Sequence, residues 1–386
     1  MKKIQIFFLS VLICFSVSIQ AVNIPDILQS KVPLPEIDAK SWVLIEPETQ
    51  WVIAEKNADM RIEPASLTKL MTLYVLFELI EKGQFNLQDK VRISEKARYV
   101  EGSRMFAELN SEVSVLDLLK GIIVQSGNDA SIALAEYAAG SEEAFAVLMN
   151  ETVKRLNLEN SQFKNVSGLP DEGHYSSARD IALISRALIH DYEKYYPWFS
   201  IREMTHNNIK QPNRNRLLDR ASWVDGLKTG HTESAGYCLA ASGKQGDTRF
   251  IAVVAGSDND KTRTDATYSL LQYGFANYEY YSPTQEGLVR KIRVYGGEKD
   301  MINLMPSEPM HAVLPKGAAK QDYANVDIDY RLDEFLAAPV KAGDNAGVIR
   351  VSYQDELIAT SAMEAESSVA LGSLIKRVKD SIKRLF

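Results

Sequence analysis

The sequence predicts an α+β protein: an antiparallel sheet that carries helices, then a small all-β domain, then a C-terminal amphipathic helix. Three observations lead to this prediction. Before residue 283, segments with strand character lie early and late, and helical patterns fill the sequence between them. After residue 283, short alternating segments separated by turn residues replace the helical patterns. Residues 371–386 combine one apolar helical face with many basic side chains.

The first 21 residues are typical of a secretory signal peptide. Two lysines precede an apolar stretch at residues 4–19, and Ala21 offers a cleavage site, so we expect residues 1–21 to be removed during export. An uncleaved membrane anchor is the alternative. Cys14 lies inside this segment, so Cys238 would be the single cysteine of the processed chain, which predicts no internal disulfide.

Residues 22–283 are expected to form the first domain. A strand pair is predicted on either side of the turn at residues 46–50, and it leads into a helix near Pro64, because proline suits a first helical position. Ser177 is expected to cap a later helix, with an acidic residue three positions on. The other predicted elements are helices at 113–139, broken at 126–128, at 141–157, at 177–190 and at 263–275, and a strand hairpin at 234–256.

The two segments that follow differ in texture from the first domain. Residues 284–370 are expected to form a small β-rich domain of ordinary size. Residues 371–386 form a basic amphipathic helix that is too polar to span a bilayer, which is typical of an anchor lying in the plane of the membrane surface. The alternative is a helix docked on its own domain. The apolar face comprises Leu374, Ile375, Val378, Ile382, Leu385 and Phe386.

Composition excludes several classes of function. The chain has 386 residues, of which 45% are hydrophobic, as in ordinary globular proteins, and its net charge of −7 argues against a general nucleic-acid binder. The five histidines show no metal-ligand spacing, so we expect no metal and no organic cofactor. Four of them are expected to be structural or exposed: His174, His190, His206 and His311.

The segment 63–72 carries the first chemical signal. Ser66 and Lys69 are three residues apart, which on a helix places both side chains on one face. Ser66 would lie in the first turn, where the helix dipole stabilises negative charge. A lysine whose charge is disfavoured by burial or by a second cation can take the proton of the serine. The same S-x-x-K spacing recurs at residues 161–164 and 373–376, so this motif alone is weak.

Two further motifs strengthen the interpretation of Ser66 and Lys69 as a nucleophile and its base. Ser126 and Asn128 stand where two helical patterns meet, and a second hydroxyl near Lys69 can relay a proton while an asparagine holds a substrate amide. The plain alternative is a helix break. Residues 228–230, Lys-Thr-Gly, precede a hairpin strand, where a strand edge can pair with a peptide and bind a carboxylate. The plain alternative is a surface turn. Lys228 would also be the second cation that lowers the pKa of Lys69.

These three motifs, in this order, resemble the active-site pattern of penicillin-binding proteins and serine β-lactamases. The longer strings around Ser66, Ser126 and Lys228 are similar to those of the low-molecular-mass D-alanyl-D-alanine carboxypeptidases of the penicillin-binding protein 5 type. The resemblance extends over nearly the whole chain. It implies a β-lactamase/transpeptidase-like catalytic domain, a small β domain and a membrane-associated helix.

The resemblance also implies roles for individual residues. Ser66 would be the acylated nucleophile, Lys69 its general base and Ser126 a proton relay. The oxyanion hole would be formed by the backbone N–H groups of Ser66 and His231. The substrate amide and its terminal carboxylate would be held by Asn128, Arg214, Lys228, Thr229, Gly230, His231 and Arg263.

The activity implied is that of a serine-type D-Ala-D-Ala carboxypeptidase that trims peptidoglycan stem pentapeptides in wall maturation and shape control. β-Lactams would be covalent inhibitors, and the enzyme would be periplasmic, held on the outer face of the inner membrane through residues 371–386. A β-lactamase is one alternative, but no E-x-x-L-N string is present. An endopeptidase that cuts cross-bridges and a non-catalytic wall-binding scaffold are the others.

Overall fold

The computed structural model describes residues 22–317 and 326–384. The predicted signal peptide, Leu385 and Phe386 lie outside them. Single 3-10 turns occur at Asp26–Leu28, Ala65–Leu67 and Tyr196–Ser200. The helices are α1 (Thr68–Glu81), α2 (Glu95–Tyr99), α3 (Val115–Gln125), α4 (Asn128–Ala139), α5 (Glu142–Arg155), α6 (Ala178–Asp191), α7 (Leu217–Arg220), α8 (Asp260–Asn277), α9 (Gln285–Leu288) and α10 (Leu374–Lys383).

The strands form two six-stranded sheets and several two-stranded pairs among the described residues. They are β1 (Val22–Asn23), β2 (Ser41–Ile45), β3 (Trp51–Lys56), β4 (Lys90–Arg92), β5 (Glu112–Ser114), β6 (Glu203–His206), β7 (Ile209–Pro212), β8 (Val224–Thr232), β9 (Gly236–Gln245), β10 (Thr248–Ser257), β11 (Tyr278–Tyr281), β12 (Arg290–Tyr295), β13 (Met301–Pro306), β14 (Ala312–Pro315), β15 (Val326–Leu332), β16 (Phe335–Ala337), β17 (Asn345–Tyr353) and β18 (Glu356–Ala365).

The first sheet has the strand order β1-β3-β2-β10-β9-β8, and all its pairs are antiparallel except β1 with β3. The predicted strand pair and late hairpin are therefore neighbours in this sheet, through β2 and β10. Strand β2 is buried along its full length because helices cover both faces of the sheet. Alternate β-strand side chains join the core of α8 on one face and the core of α1 and α6 on the other.

Helix α1 begins directly after the turn that contains Ser66 and passes through the helical half of the domain. Eleven of its 14 residues are buried, because its sequence is apolar on nearly every side. A helix of this kind must be surrounded by protein, and α4, α5 and α6 pack around it. The Ser66 turn that precedes it is thereby fixed at the edge of the sheet, beside β8.

Side-chain caps determine where the helices start. The predicted cap at Ser177 is confirmed, since its hydroxyl accepts a hydrogen bond from the backbone N–H of Asp180 at 3.1 Å. Asn259 caps α8 in the same way through Thr262 N–H at 2.9 Å. The predicted break between α3 and α4 is also confirmed, and there Ser126 adopts a left-handed conformation with φ of 63°.

The small all-β domain expected after residue 283 is present. Its sheet has the order β15-β17-β18-β13-β12-β16, and buried and exposed residues alternate along β17 and β18. Strand β11, before residue 283, pairs with β14 inside the following region. Backbone hydrogen bonds therefore cross the boundary expected at residues 283–284, and that boundary itself remains a prediction.

Helix α10 docks on the β domain through its polar face. The Asp380 carboxylate is buried and accepts the Gly296 N–H at 2.9 Å, and Lys376 pairs with Asp300 at 2.8 Å. Its apolar face points to solvent, since Ile375 is 83% exposed. Within residues 22–317 and 326–384, no helix has both the length and the apolar character needed to cross a bilayer.

Candidate active site

The turn around Ser66 is held in an unusual backbone conformation. Ala65 has a φ of 47°, a left-handed value that is rare for a residue with a side chain. Gly168 packs so closely on this turn that a Cβ atom there would lie 1.7 Å from the Ala65 carbonyl oxygen. The backbone around the serine is therefore held by the segment that contains Gly168. Local strain of this kind concentrates at functional sites.

Lys69 lies one turn after Ser66 and is fully buried. Its Nζ atom lies 3.0 Å from Ser66 Oγ, 2.7 Å from Asn128 Oδ1 and 2.6 Å from the Ser167 carbonyl oxygen. Burial lowers the pKa of Lys69 from its ordinary 10.5 to about 7. The charge of Arg214 lowers this pKa further, whereas the nearby carboxylates raise it.

The three neighbours of Lys69 Nζ differ in what they can exchange with it. The carbonyl oxygens of Asn128 and Ser167 can only accept, whereas the Ser66 hydroxyl can also donate. A neutral amine has two N–H groups and one lone pair. With both N–H groups on the carbonyl oxygens, the lone pair faces Ser66 Oγ. The geometry therefore suits removal of the serine proton by Lys69.

Ser126 and Asn128 lie at the junction of α3 and α4, on the other side of the lysine. The Asn128 side chain is held in place because its amide N–H also donates to the Glu101 carbonyl at 2.7 Å. Ser126 is buried, and its Oγ atom has no hydrogen-bond partner among the described residues. A buried hydroxyl without a hydrogen bond destabilises the protein. Ser126 is therefore a candidate for a hydrogen bond with a group bound in the cavity.

Asp129, which the sequence reasoning did not single out, organises the same wall. Its buried carboxylate accepts the backbone N–H groups of Met105, Phe106 and Ala107 at 2.9–3.1 Å. The loop before β5 is thereby tied to the start of α4. A possible signal was the acidic residue in the first turn of a helix, but its partners are far away in sequence.

The Lys-Thr-Gly motif lies on β8, the edge strand of the first sheet. Lys228 and Thr229 are buried, and the Lys228 ammonium donates to the Thr229 carbonyl at 3.0 Å. A Cβ atom on Gly230 would lie 3.2 Å from Leu67 N and from Ala65 Cβ. Gly230 therefore allows the strand to pack on the Ser66 turn, a role beyond the expected approach of substrate.

Lys228 and Lys69 are two buried amines that repel each other when both are charged. Burial lowers the pKa of Lys228 well below its ordinary value, and repulsion from Lys69 and from two arginines adds to this. The charge of Arg214 also lowers the pKa of Lys69. Because repulsion between like charges is mutual, the role of Lys228 in keeping Lys69 neutral stays a prediction, and both lysines are destabilised as cations.

The two predicted arginines have different surroundings. Arg263 is buried and already engaged, since Nη1 donates to the Gly230 and Cys238 carbonyls at 2.9 and 3.2 Å and Nη2 to Asp260. Arg214 is exposed, and its Nε donates to the Gln125 carbonyl at 3.1 Å. Among the described residues no partner is found for the Nη atoms of Arg214, so they are free to meet a ligand.

These side chains surround a cavity of about 540 Å³. Seven of the ten predicted residues line it: Ser66, Ser126, Arg214, Thr229, Gly230, His231 and Arg263. Lys69 and Asn128 lie just behind Ser66, and Lys228 precedes the strand residues that line the wall. The exposed His231 ring lies 4.0 Å from the ring of Tyr237, a lining residue that sequence reasoning missed.

In the described part of the chain, no three histidine, cysteine, aspartate or glutamate side chains gather closely enough to hold a metal ion. What the cavity offers is a serine beside a buried lysine, a second serine without a partner, and arginine and threonine donors opposite them. Such a site can acylate a serine with a substrate that carries an anionic group.

Comparison with known proteins agrees with this geometry. Residues 28–259 match the family model described as D-alanyl-D-alanine carboxypeptidase. Residues 278–371 match the model of the C-terminal domain of penicillin-binding protein 5. Both models fall on the regions that carry the two six-stranded sheets.

Individual relatives cover almost the full chain. D-alanyl-D-alanine carboxypeptidase DacC of Escherichia coli is 40% identical, over 93% of this chain and 91% of its own length. DacA of the same organism is 37% identical, over 95% and 93%. The crystal structure of penicillin-binding protein 5 from Haemophilus influenzae is 39% identical, with a TM-score of 0.80, and covers 88% of this chain and 99% of its own. The chain therefore belongs to the D-alanyl-D-alanine carboxypeptidase family of the penicillin-binding protein 5 type.

Proposed function

We propose that this chain is a serine-type D-Ala-D-Ala carboxypeptidase that removes the terminal D-Ala from peptidoglycan stem pentapeptides. The observation that carries the proposal is the arrangement at Lys69 Nζ, which lies 3.0 Å from Ser66 Oγ while two carbonyl oxygens occupy its other directions. Relatives named for this activity match nearly the whole chain.

In the acylation step, the neutral amine of Lys69 takes the proton of Ser66 as Oγ attacks the carbonyl carbon of the penultimate D-Ala. The carbonyl oxygen becomes an oxyanion, for which the backbone N–H groups of Ser66 and His231 are the proposed donors. Collapse of this intermediate breaks the peptide bond. The leaving amine of the terminal D-Ala takes the proton that Lys69 gained, passed on through Ser126, whose hydroxyl has no other partner in the described residues. Lys69 is neutral again at the end of this step.

Water then hydrolyses the ester on Ser66 and releases the shortened peptide. Asn128 is proposed to hold the substrate amide, and its position is fixed by its two hydrogen bonds. The terminal carboxylate is proposed to meet Lys228, Thr229 and Arg214, with Arg263 providing positive potential behind them. β-Lactams would acylate Ser66 because their strained amide resembles D-Ala-D-Ala.

We also propose a location and a domain division. Export through the signal at residues 1–21 would place the enzyme in the periplasm, with a catalytic domain at 22–283 and a β domain at 284–370. Residues 371–386 would hold it on the outer face of the inner membrane. The solvent-facing apolar side of α10 and its basic residues support this placement.

The proposal is tested by digesting a stem pentapeptide with the wild type and with Ser66→Ala and assaying released D-Ala. We expect release by the wild type only, and labelling of Ser66 by a fluorescent penicillin. Rapid turnover of penicillin with no D-Ala release would favour a β-lactamase. Cleavage of a cross-linked muropeptide alone would favour an endopeptidase, and the absence of both labelling and release would favour a scaffold.

A further inference from the structure

A buried histidine behind the catalytic turn has no role in the mechanism above. His174 is one of the histidines expected to be merely structural, and it is buried. Its Nε2 lies 2.8 Å from Thr68 Oγ1, and Thr68 stands between Ser66 and Lys69 in the sequence. Its Nδ1 accepts the backbone N–H of Lys164 at 3.1 Å.

These contacts determine the form of the ring. Nδ1 faces a backbone N–H and must therefore be the acceptor, so the proton of the neutral imidazole lies on Nε2 and is donated to Thr68 Oγ1. A second proton would turn Nδ1 into a donor opposite another donor. The charged groups that act on His174 are Lys69 on α1 and Asp171 on its own loop, and the Phe163 ring covers its edge.

His174 therefore joins the two segments that hold Lys69. One is the turn that carries Ser66 and Thr68. The other is residues 164–168, whose Ser167 carbonyl accepts from Lys69 Nζ at 2.6 Å and whose Gly168 packs on the turn. If the two segments separated, one of the two carbonyl oxygens that direct the lysine lone pair would be lost.

We propose that His174, as the neutral Nε2–H tautomer, is a positioning residue that holds Thr68 against the Ser167 segment and so aims the Lys69 lone pair at Ser66. This inference rests on the proposed function, since it assigns a task in the same acylation step. It adds a residue that acts through Thr68 and Ser167 without touching substrate.

His174 and Lys69 change their protonation states in different pH ranges. Burial lowers the pKa of His174 from its ordinary 6.5 to about 4, the charge of Lys69 lowers it further, and Asp171 opposes the change. At the pH where Lys69 titrates, His174 is therefore neutral. An acid limb near pH 7 in the acylation rate would belong to the lysine, and it would survive replacement of the histidine by an uncharged residue that keeps the contact with Thr68.

Two amide substitutions separate the two ring contacts. Glutamine places an amide group near the position of Nε2 and can donate to Thr68, whereas asparagine places it near Nδ1 and can satisfy only Lys164 N–H. Thr68→Val removes the hydroxyl at nearly constant shape. The second-order rate of acylation by a fluorescent penicillin is measured from pH 5 to 9 for these variants, with melting temperatures alongside.

We expect His174→Gln to stay within about threefold of the wild type, and His174→Asn and Thr68→Val to be about 10- to 100-fold slower. In the two slow variants the acid limb should move to higher pH, because a looser wall admits water to Lys69. Unchanged rates, equal effects of asparagine and glutamine, or slower rates with an unmoved acid limb would overturn the inference. A wild type without labelling or D-Ala release would instead overturn the proposed function.

Discussion

The Cα atom of Gly230 faces the carbonyl oxygen of Pro64 so closely that a Cβ atom built on it would lie 3.1 Å from that oxygen. Two further atoms of the Ser66 turn lie within 3.2 Å of the same point. The edge strand β8 and the turn that carries the nucleophile are thus in backbone contact. Their spacing, which sets the width of the cavity between Ser66 and Thr229, depends on a residue with no side chain.

Gly230→Ala is expected to push β8 away from the turn by a few tenths of an ångström, because the neighbouring atoms are mostly backbone and cannot rotate aside. Overpacking of this kind typically costs about 1–3 kcal/mol in stability. The acylation rate by penicillin should fall about 10- to 100-fold, since the carboxylate donors move relative to Ser66. Gly287→Ala serves as a control, because Gly287 has an ordinary φ and only the Thr284 side-chain hydroxyl within 4 Å of an added Cβ atom. Equal effects of the two substitutions would contradict the argument.

Substitutions of Arg214 and of Arg263 are predicted to impair the enzyme in different ways. The Nη atoms of Arg214 are free in the described residues, so Arg214→Ala should lower kcat/KM for a pentapeptide about 10- to 100-fold, the value of a charge-assisted hydrogen bond. At a pH well above the pKa of Lys69, where loss of the Arg214 charge no longer changes the neutral fraction of that amine, the same variant should not change kcat/KM for an analogue whose C-terminus is an amide. The comparison needs only steady-state kinetics with the two peptides.

Arg263→Ala should instead lower the activity on both peptides and the melting temperature, because Arg263 holds the Gly230 and Cys238 carbonyls of adjacent strands. Arg202→Ala is a suitable control, since Arg202 is exposed and pairs with Asp219 outside the cavity. If Arg214→Ala lowered kcat/KM equally for the free-acid peptide and its amide analogue, the proposal that Arg214 binds the terminal carboxylate would be wrong.

The acylation rate is expected to follow the deprotonation of Lys69. Burial lowers the pKa of Lys69 to about 7, and the neutral amine is the reactive form, so the rate should rise with pH and level off above the pKa. At one unit below the pKa, about a tenth of the enzyme carries the neutral amine. Stopped-flow labelling with a fluorescent penicillin from pH 5 to 9 measures this.

Lys69→Arg tests the same point with the charge retained, because a guanidinium does not lose its proton in proteins. We expect its acylation rate to fall by at least about a hundredfold at every pH. A wild-type rate that stays flat from pH 5 to 8 would show that another group, or none, removes the proton of Ser66.

The parts of the site that the sequence predicted are those in which a side chain of distinctive chemistry stands at a local spacing. Ser66 and Lys69 lie one helical turn apart, and Ser126 lies at a break between two helices, so local geometry was enough. The Ser177 cap is of the same kind. The order of three such motifs identified the family, and their meeting in one cavity followed from the fold.

The parts that escaped prediction depend on backbone groups or on contacts distant in sequence. The Ser167 carbonyl aims Lys69, but any residue has a carbonyl oxygen, so no side-chain pattern marks it. Asp129 binds N–H groups more than 20 residues away. The engagement of Arg263 by two strand carbonyls also appears only once β8 and β9 are paired, and it changes the interpretation of that arginine.

A buried carboxyl far from the cavity predicts how stability depends on pH. Glu46 is fully buried in the turn between β2 and β3, and burial raises its pKa from the ordinary 4.5 to about 7. The folded state therefore holds this proton more tightly than the unfolded state does. Ionisation of Glu46 therefore lowers the free energy of unfolding as the pH rises from about 4.5 to 7. The loss is on the order of 3 kcal/mol at pH 8.

The free energy of unfolding should therefore fall from pH 5 to pH 8 more steeply in the wild type than in Glu46→Gln, which has no proton to lose. Glutamine also loses hydrogen bonds from Thr49, so its absolute stability is not the relevant readout. The relevant readout is how much more steeply the free energy of unfolding, measured in urea, falls with pH in the wild type than in Glu46→Gln. Parallel curves for the two proteins would show that Glu46 is already ionised or neutral throughout this range.

Helix α10 supplies the last prediction, because its two faces have opposite surroundings. Asp380 and Lys376 tie the polar face to the β domain, while Leu374, Ile375, Val378 and Ile382 remain 54–83% exposed. A docked helix with an uncovered apolar face can lie on a bilayer while it stays attached to its domain.

Ile375→Glu should therefore reduce sedimentation of the protein with vesicles of anionic phospholipid about tenfold or more, without changing D-Ala release from a soluble peptide. Arg331→Gln, which also lowers the net charge by one and lies on an exposed strand residue of the same β domain, is the matched control for net charge. Equal vesicle binding by Ile375→Glu and the wild type, or equal losses in both variants, would rule out membrane contact through this face.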